Sequence, residues 1–162
     1  MVVFDSLYGN TRVIAQAIAD AIPGKVNMVH VSDVSLADIH ECDLLIVGGP
    51  THGGGPSDPM KAMLAAVGDL SLQGTAVAAF DTRLTWWWLR PFGYAAPKIA
   101  RALKRKGGRL LVPGKGFVVT GGKGPLPADE TEQAAAWAAA LVTKVEATAG
   151  KAAAPQILSR GG

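Results

Sequence analysis

Short apolar runs that alternate with helical patterns constrain the fold of this 162-residue chain more than any other feature. The run "DLLIVGG", residues 43–49, is almost continuously apolar, which is typical of a parallel strand buried on both faces. Four more strand candidates are "VVFDS", "KVNMVHV", "TAVAAFD" and "RLLVPGKGFVV". The first helical pattern, "NTRVIAQAIADAI", predicts one apolar stripe made of Val13, Ala17, Ile18 and Ala21.

Further helical patterns separate the later runs. They are "SDPMKAMLAAVG", "GYAAPKIARALKRKGG", which stops at a glycine pair, and an alanine-rich stretch over residues 128–149. Strict alternation of strands and helices predicts an α/β protein with an open, doubly wound parallel sheet. We expect one domain over residues 1–149 and a mobile tail over residues 150–162, since the tail lacks a periodic stripe.

The composition argues against several classes of protein and of site. No apolar run reaches the roughly 18 to 20 residues of a membrane-spanning helix, and the chain opens on a strand pattern rather than an export signal, so we expect a cytoplasmic protein. Cys42 is the single cysteine, which excludes an intramolecular disulfide and a thiolate cluster. His30, His40 and His52 lack metal-ligand spacing, so no metal site is expected.

The basic residues are unevenly distributed along the chain. Ten of the sixteen lysines and arginines lie within residues 82–128, a span without Asp or Glu. For "IARALKRKGG" alone, a solvated helix face with cations near its C-terminus explains the pattern best. For the whole span, an acidic partner, a phosphate or a membrane surface also fits, whereas a nucleic-acid partner is not expected.

Three loops should meet at the carboxyl edge of such a sheet, where ligands bind at the reversal of strand order. The loop "DSLYGNT", residues 5–11, offers short polar side chains, a glycine turn and the positive end of a helix, a combination that suits a phosphate. It lacks the lysine of a Walker loop, so a nucleoside triphosphatase is not expected. Taken alone, the same residues would be ordinary helix caps.

The other two loops favour a flat ligand. "GGPTHGGGPSDP", residues 48–59, has little side-chain bulk and would let the backbone approach a planar group closely. "FDTR", residues 80–83, is followed closely by the three tryptophans Trp86, Trp87 and Trp88. Together the three loops suit a molecule with a phosphate at one end and a planar ring at the other.

From Val2 to about Val145 the sequence resembles flavodoxins and flavodoxin-like proteins. "SLYGNT" is similar to their phosphate loop, "GGPTHGGG" to their second flavin loop and "AAFDTRL" to the third. The resemblance implies a flavodoxin-like three-layer sandwich with a five-stranded parallel sheet in the order 2-1-3-4-5. It also implies FMN as the cofactor.

Carried over by position, the resemblance implies cofactor-binding residues in all three loops and no catalytic side chain. The phosphate loop comprises Ser6, Leu7, Tyr8, Gly9, Asn10 and Thr11. Tyr8 stands where many members carry a phosphate-binding threonine, so one hydroxyl contact is lost or differently aimed. The ring would be bordered by Pro50, Thr51, His52, Gly53 and Gly54 and by Asp81, Thr82 and Arg83, and covered by Trp86 or Trp88.

Three functions remain open at this point. The first is an electron carrier that uses FMN with a redox partner protein, and the second is a flavin-dependent reductase of quinones or similar small planar acceptors. The third is a scaffold without FMN that docks a partner or a membrane surface through "WWWLRPF", residues 86–92.

Overall fold

The computed structural model describes residues 1–68, 71–84 and 93–152. The strands are β1 (Val2–Phe4), β2 (Met28–His30), β3 (Leu44–Pro50), β4 (Ala76–Arg83), β5 (Arg109–Leu110) and β6 (Lys115–Val118). The helices are α1 (Asn10–Asp20), α2 (Leu36–His40), α3 (Asp58–Ala66), α4 (Ala95–Arg105) and α5 (Glu130–Ala152). Strands and helices alternate along the chain up to β5, as the apolar runs predict.

All strands pair in parallel, in the order β2-β1-β3-β4-β5, and β6 also pairs with β4. The predicted α/β fold and strand order are therefore confirmed. The single fifth strand of the prediction is instead two short segments, β5 beside Ala76–Val77 and β6 beside Phe80–Arg83. Pro113 lies between the two segments, and a proline cannot donate a hydrogen bond to a sheet ladder.

Two apolar clusters flank the sheet and make a three-layer core. One packs α3 and α4 against the sheet, with Met60, Ile99 and Leu103 fully buried. The other packs α1 and α5 on the opposite face around Phe80 and Phe117. The absence of a side chain at Gly48 in β3 makes room for Phe80, because a Cβ there would overlap its ring.

The predicted stripe of α1 is wrong in its phase. The buried residues of this helix are Thr11, Ile14, Ala15, Ile18 and Ala19, whereas Val13 is 49% exposed. The observed set follows the i, i+3, i+4, i+7 spacing of a core-facing helix and begins at Thr11, so the helix turns this hydroxyl inward.

Within the ranges described, no helix combines the length and the apolar character needed to cross a bilayer. The last helix runs to Ala152, three residues beyond the predicted end of the alanine-rich stretch.

Candidate functional site

The first turn of α1 presents backbone amides at the carboxyl edge of the sheet. Its N-cap, Gly9, has a φ of 90° and forms no side-chain cap, and the first turn holds no acidic residue. Ser6 Oγ accepts hydrogen bonds from the amides of Gly9 at 3.1 Å and Arg12 at 3.3 Å. The amides of Asn10 and Thr11 occupy the first two helical positions, where a helix supplies no acceptor of its own.

A buried pair of hydroxyls joins this turn to the end of β4. Thr11 Oγ1 lies 2.8 Å from Thr82 Oγ1, and the two residues are 2% and 5% exposed. The bond fixes the start of α1 against the end of β4, across 71 residues of sequence.

The second loop continues from β3 beside β4. The Thr51 amide donates to the Thr82 carbonyl at 2.9 Å, and Thr51 Oγ1 accepts from the Ala95 amide at 2.9 Å. His52 and Gly55 form a small antiparallel bridge around Gly53 and Gly54, whose φ values are 54° and 79°. The positive φ values explain the glycines, because other residues rarely adopt this conformation.

A fixed guanidinium stands at the end of β4. Arg83 donates to both carboxylate oxygens of Asp81, at 2.5 and 2.8 Å, and its Cζ lies 3.8 Å from the centroid of the Tyr94 ring. Gly116 of β6 leaves room for this arrangement, because a Cβ there would overlap the guanidinium. Ion pairing, ring stacking and close backbone contact therefore hold Arg83 in one place.

The carboxylate of Asp81 faces inward. Asp81 is fully buried, and its Oδ2 also accepts from the Ala96 amide at 2.6 Å. The N-cap of α4, Tyr94, makes no side-chain cap of its own. Asp81 and Thr51 therefore cap α4 from the ends of two neighbouring strands.

A small cavity of about 80 Å³ lies where these elements meet. Its lining includes nine of the predicted site residues: Leu7, Tyr8, Asn10, Thr11, Pro50, Thr51, His52, Thr82 and Arg83. The lining contains no Asp or Glu, and Arg83 brings a cation to its wall. Hydroxyls and helix amides make an environment that suits an anion, and the guanidinium adds hydrogen-bond donors while Asp81 balances its charge from outside the lining.

The other predicted residues that the structure describes lie outside this lining. Ser6 and Gly9 face a second depression, shared with Arg12 and His30. Gly53 is exposed and Gly54 is buried, while Asp81 accepts hydrogen bonds from Arg83. The predicted ring covers, Trp86 and Trp88, lie outside the residues that the structure describes.

A fourth loop, residues 119–125, also borders the cavity, and the three predicted loops do not include it. Val119 and Gly122 line the cavity, and Leu84 does so from the end of β4. Gly124 packs against the Asn10 side chain so closely that a Cβ there would lie 2.7 Å from the amide atoms. The signal was present in the sequence, because "TGGKGP" follows the fifth predicted strand and the ends of parallel strands share one edge.

The donor set fits the phosphate end of a flavin nucleotide. A cavity of about 80 Å³ is well below the roughly 300 Å³ at which pockets begin to hold a complete drug-sized ligand. It can therefore hold one polar end of such a molecule, with the larger part over the surrounding loops.

Comparisons with known proteins identify a family and a shared fold. A family model described as Flavodoxin matches residues 2–137, whereas a search of the curated proteins finds no match. Among solved structures, an archaeal flavodoxin is 23% identical, with a TM-score of 0.73, over 90% of this chain and 96% of that one. Oxidised Flavodoxin 2 from Bacillus cereus is 22% identical, with a TM-score of 0.75, over 88% and 97%.

A larger protein contains the same fold as one part. The flavodiiron protein from Giardia intestinalis is 18% identical, with a TM-score of 0.73, over 94% of this chain but 37% of that one. At such low identity these structural matches show a shared fold, and the assignment to a family rests on the family model.

Proposed function

The chain belongs to the flavodoxin family, and from this we propose that it binds FMN and works as an electron carrier with a redox partner protein. One observation carries the choice of FMN. The amides at the start of α1 and the Thr11–Thr82 hydroxyls meet in a cavity whose lining holds no carboxylate, because Asp81 pairs with Arg83 from outside it, and these donors suit a phosphate monoester.

The phosphate would be held by the amides of Asn10 and Thr11 and by the hydroxyl pair beneath them. These amides lie at the positive end of the α1 dipole. Because the lining offers hydroxyls in place of lysines, we expect selectivity for a phosphate to come from hydrogen-bond geometry as well as from charge.

Arg83 would orient the cofactor from the side of β4. Its bidentate pair with Asp81 fixes the guanidinium plane, and the side chain, which is 16% exposed, lines the cavity. Asp81 acts through Arg83 and through the α4 cap, and is thus a positioning residue.

The flavin ring, when bound, supplies reversible electron transfer, and the protein supplies the anchor, the orientation and the local field. Pro50, Thr51 and His52 line the same cavity from the second loop, where little side-chain bulk stands between the backbone and a planar group. No side chain needs to donate or accept a proton for the carrier role.

The test compares FMN with riboflavin, which lacks the phosphate. Quenching of flavin fluorescence on titration of the purified protein should show FMN binding at least about tenfold tighter than riboflavin, which corresponds to about 1.4 kcal/mol. A colourless protein that quenches neither flavin would contradict the proposal and favour the scaffold without FMN. Equal affinity for both flavins would contradict the phosphate anchor.

A second assay separates the carrier from the reductase. The carrier should pass electrons from a reduced protein donor to cytochrome c in single turnovers. Rapid NADH oxidation in the presence of a quinone, with saturation by the quinone, would instead identify a reductase.

A further inference from the structure

The solvent face of α4 is made of cations. Lys98, Arg101, Lys104 and Arg105 are all exposed, and we call these four residues the basic ridge. The opposite face of the helix is buried in the core through Ala96, Ile99 and Leu103. Within the described ranges, no ion pair neutralises any member of the basic ridge.

The sequence around α4 is free of acidic residues. The chain has no Asp or Glu from residue 82 to residue 128. On the neighbouring helix α3, Asp58 is paired with Lys61 at 2.8 Å, and this hydrogen bond lowers the pKa of the Asp58 carboxyl. Among the described residues, that carboxylate therefore offsets Lys61 before it can offset the basic ridge.

The basic ridge begins beside the second loop of the candidate site. Lys98 Nζ lies 3.5 Å from the position that a Cβ on Gly55 would take, so its ammonium reaches the loop that carries His52 and Gly54. From there a groove of about 560 Å³ runs between α3 and α4, lined by Pro56, Leu64, Lys98, Ala102 and Arg105 among others. The cations and the groove form one surface that leads away from the candidate site.

We propose that the basic ridge docks an acidic redox partner protein. The proposal rests on the proposed function, since it specifies the class of partner for the same site. Charges on α4 from Lys98 to Arg105 span roughly 10 Å along the helix axis, comparable to the Debye length at 0.1 M salt. They therefore act together to steer an oppositely charged surface toward the loops that border the site.

The spacing of the cations favours a protein over a small phosphate ligand. The four side chains are distributed along an exposed helix face and do not converge on one buried polar group. A membrane surface fits less well, because an interfacial helix must insert its apolar face, and the apolar face of α4 is already buried in the core.

The test uses a ferredoxin of net negative charge as the probe. Reduced ferredoxin is mixed with the FMN-loaded protein, and the second-order rate of electron transfer is followed by stopped-flow absorbance at low and high salt. The variant Lys98→Gln/Arg105→Gln should lower the rate about tenfold at low salt. The matched control Lys25→Gln/Lys144→Gln removes two exposed cations elsewhere and should change it by less than about twofold.

A second readout does not depend on FMN. Calorimetric titration of the protein, without cofactor, with poly-L-glutamate should show binding that the basic-ridge variant loses and the control keeps. If FMN fails to bind but this difference is found, the docking surface stands while the proposed function falls.

Three results would overturn the proposal. One is an equal effect of the basic-ridge and control variants on both readouts. Another is that the basic-ridge variant loses binding of inorganic diphosphate, while ferredoxin and poly-L-glutamate give the same result with the basic-ridge and control variants. The last is that the basic-ridge variant loses co-sedimentation with phosphatidylglycerol vesicles, while ferredoxin and poly-L-glutamate again do not distinguish the two variants.

Discussion

Thr11 and Thr82 share a hydrogen bond of 2.8 Å between their side-chain hydroxyls, and both are buried at the point where α1 meets β4. Replacing Thr82 with valine keeps the volume but leaves the Thr11 hydroxyl without this partner. We expect a loss of about 1–3 kcal/mol in the free energy of unfolding, measured by urea denaturation. FMN affinity should fall as well, because the first turn of α1 loses its tie to the sheet.

The double variant Thr11→Val/Thr82→Val provides the control. Removing both hydroxyls leaves no unpaired group, so its cost should be smaller than the sum of the two single costs. Additive costs would mean that the hydroxyl pair contributes nothing as a pair.

Removing one partner of the Asp81–Arg83 ion pair should cost more stability than removing both. Arg83→Met leaves a carboxylate that is fully buried, and we expect about 3–5 kcal/mol of destabilisation. Asp81→Asn/Arg83→Met removes both charges and should recover part of that loss in the same denaturation experiment. A double variant no more stable than Arg83→Met would show that the buried charge is not the cause.

Gly9 provides a test of backbone conformation. Its φ is 90°, and a Cβ at this position would meet no atom within 4 Å, so the cost of Gly9→Ala comes from the left-handed backbone alone. We expect about 1–2 kcal/mol of destabilisation and weaker FMN binding. The control Gly68→Ala also has open space but lacks a positive φ, so it should be close to neutral. Equal effects of the two variants would contradict this account.

Cys42 predicts a dependence of stability on alkaline pH. Its Sγ donates to the Ile39 carbonyl at 3.1 Å, and burial raises the pKa of the thiol above its ordinary value of 9.0. The folded state therefore holds this proton more tightly than the unfolded state. The resulting stabilisation is complete below pH 9 and is lost as the pH rises through the raised pKa.

The measurement compares urea midpoints of the parent and Cys42→Ala between pH 7 and pH 11. The difference between the two proteins should shrink above pH 9, and iodoacetamide should modify the folded thiol more slowly than the unfolded one at pH 8. A constant difference across this range would exclude the thiol as its source.

Much of the fold could be predicted because buried parallel strands leave continuous apolar runs, of which residues 43–49 are the clearest. Strand order then placed three loops at one edge. The predicted phase of α1 is wrong because Ala17 and Ile18 fit either of two neighbouring stripes. Tertiary contacts decide between the two stripes, and they turn Thr11 inward and leave Val13 facing outward. The break at Pro113 was a local signal that the fifth strand would split.

The supporting contacts of the site could not be predicted in the same way. Thr51 caps an amide 44 residues away, and Asp81 caps one 15 residues away, so both roles depend on where α4 begins relative to the strand ends. The loop over residues 119–125 follows from the same topology as the other three, but its packing on Asn10 depends on the absence of a side chain at Gly124.

The caps that Thr51 and Asp81 place on α4 link two surfaces that would otherwise vary independently. The strand ends that shape the cavity also set the direction in which α4 leaves the sheet. A substitution that adapts the cavity to a different ligand will therefore also re-aim the helix and the charges it carries. We therefore expect ligand preference and partner choice to change together in evolution. An engineered change in the ligand will need a compensating change that restores partner binding.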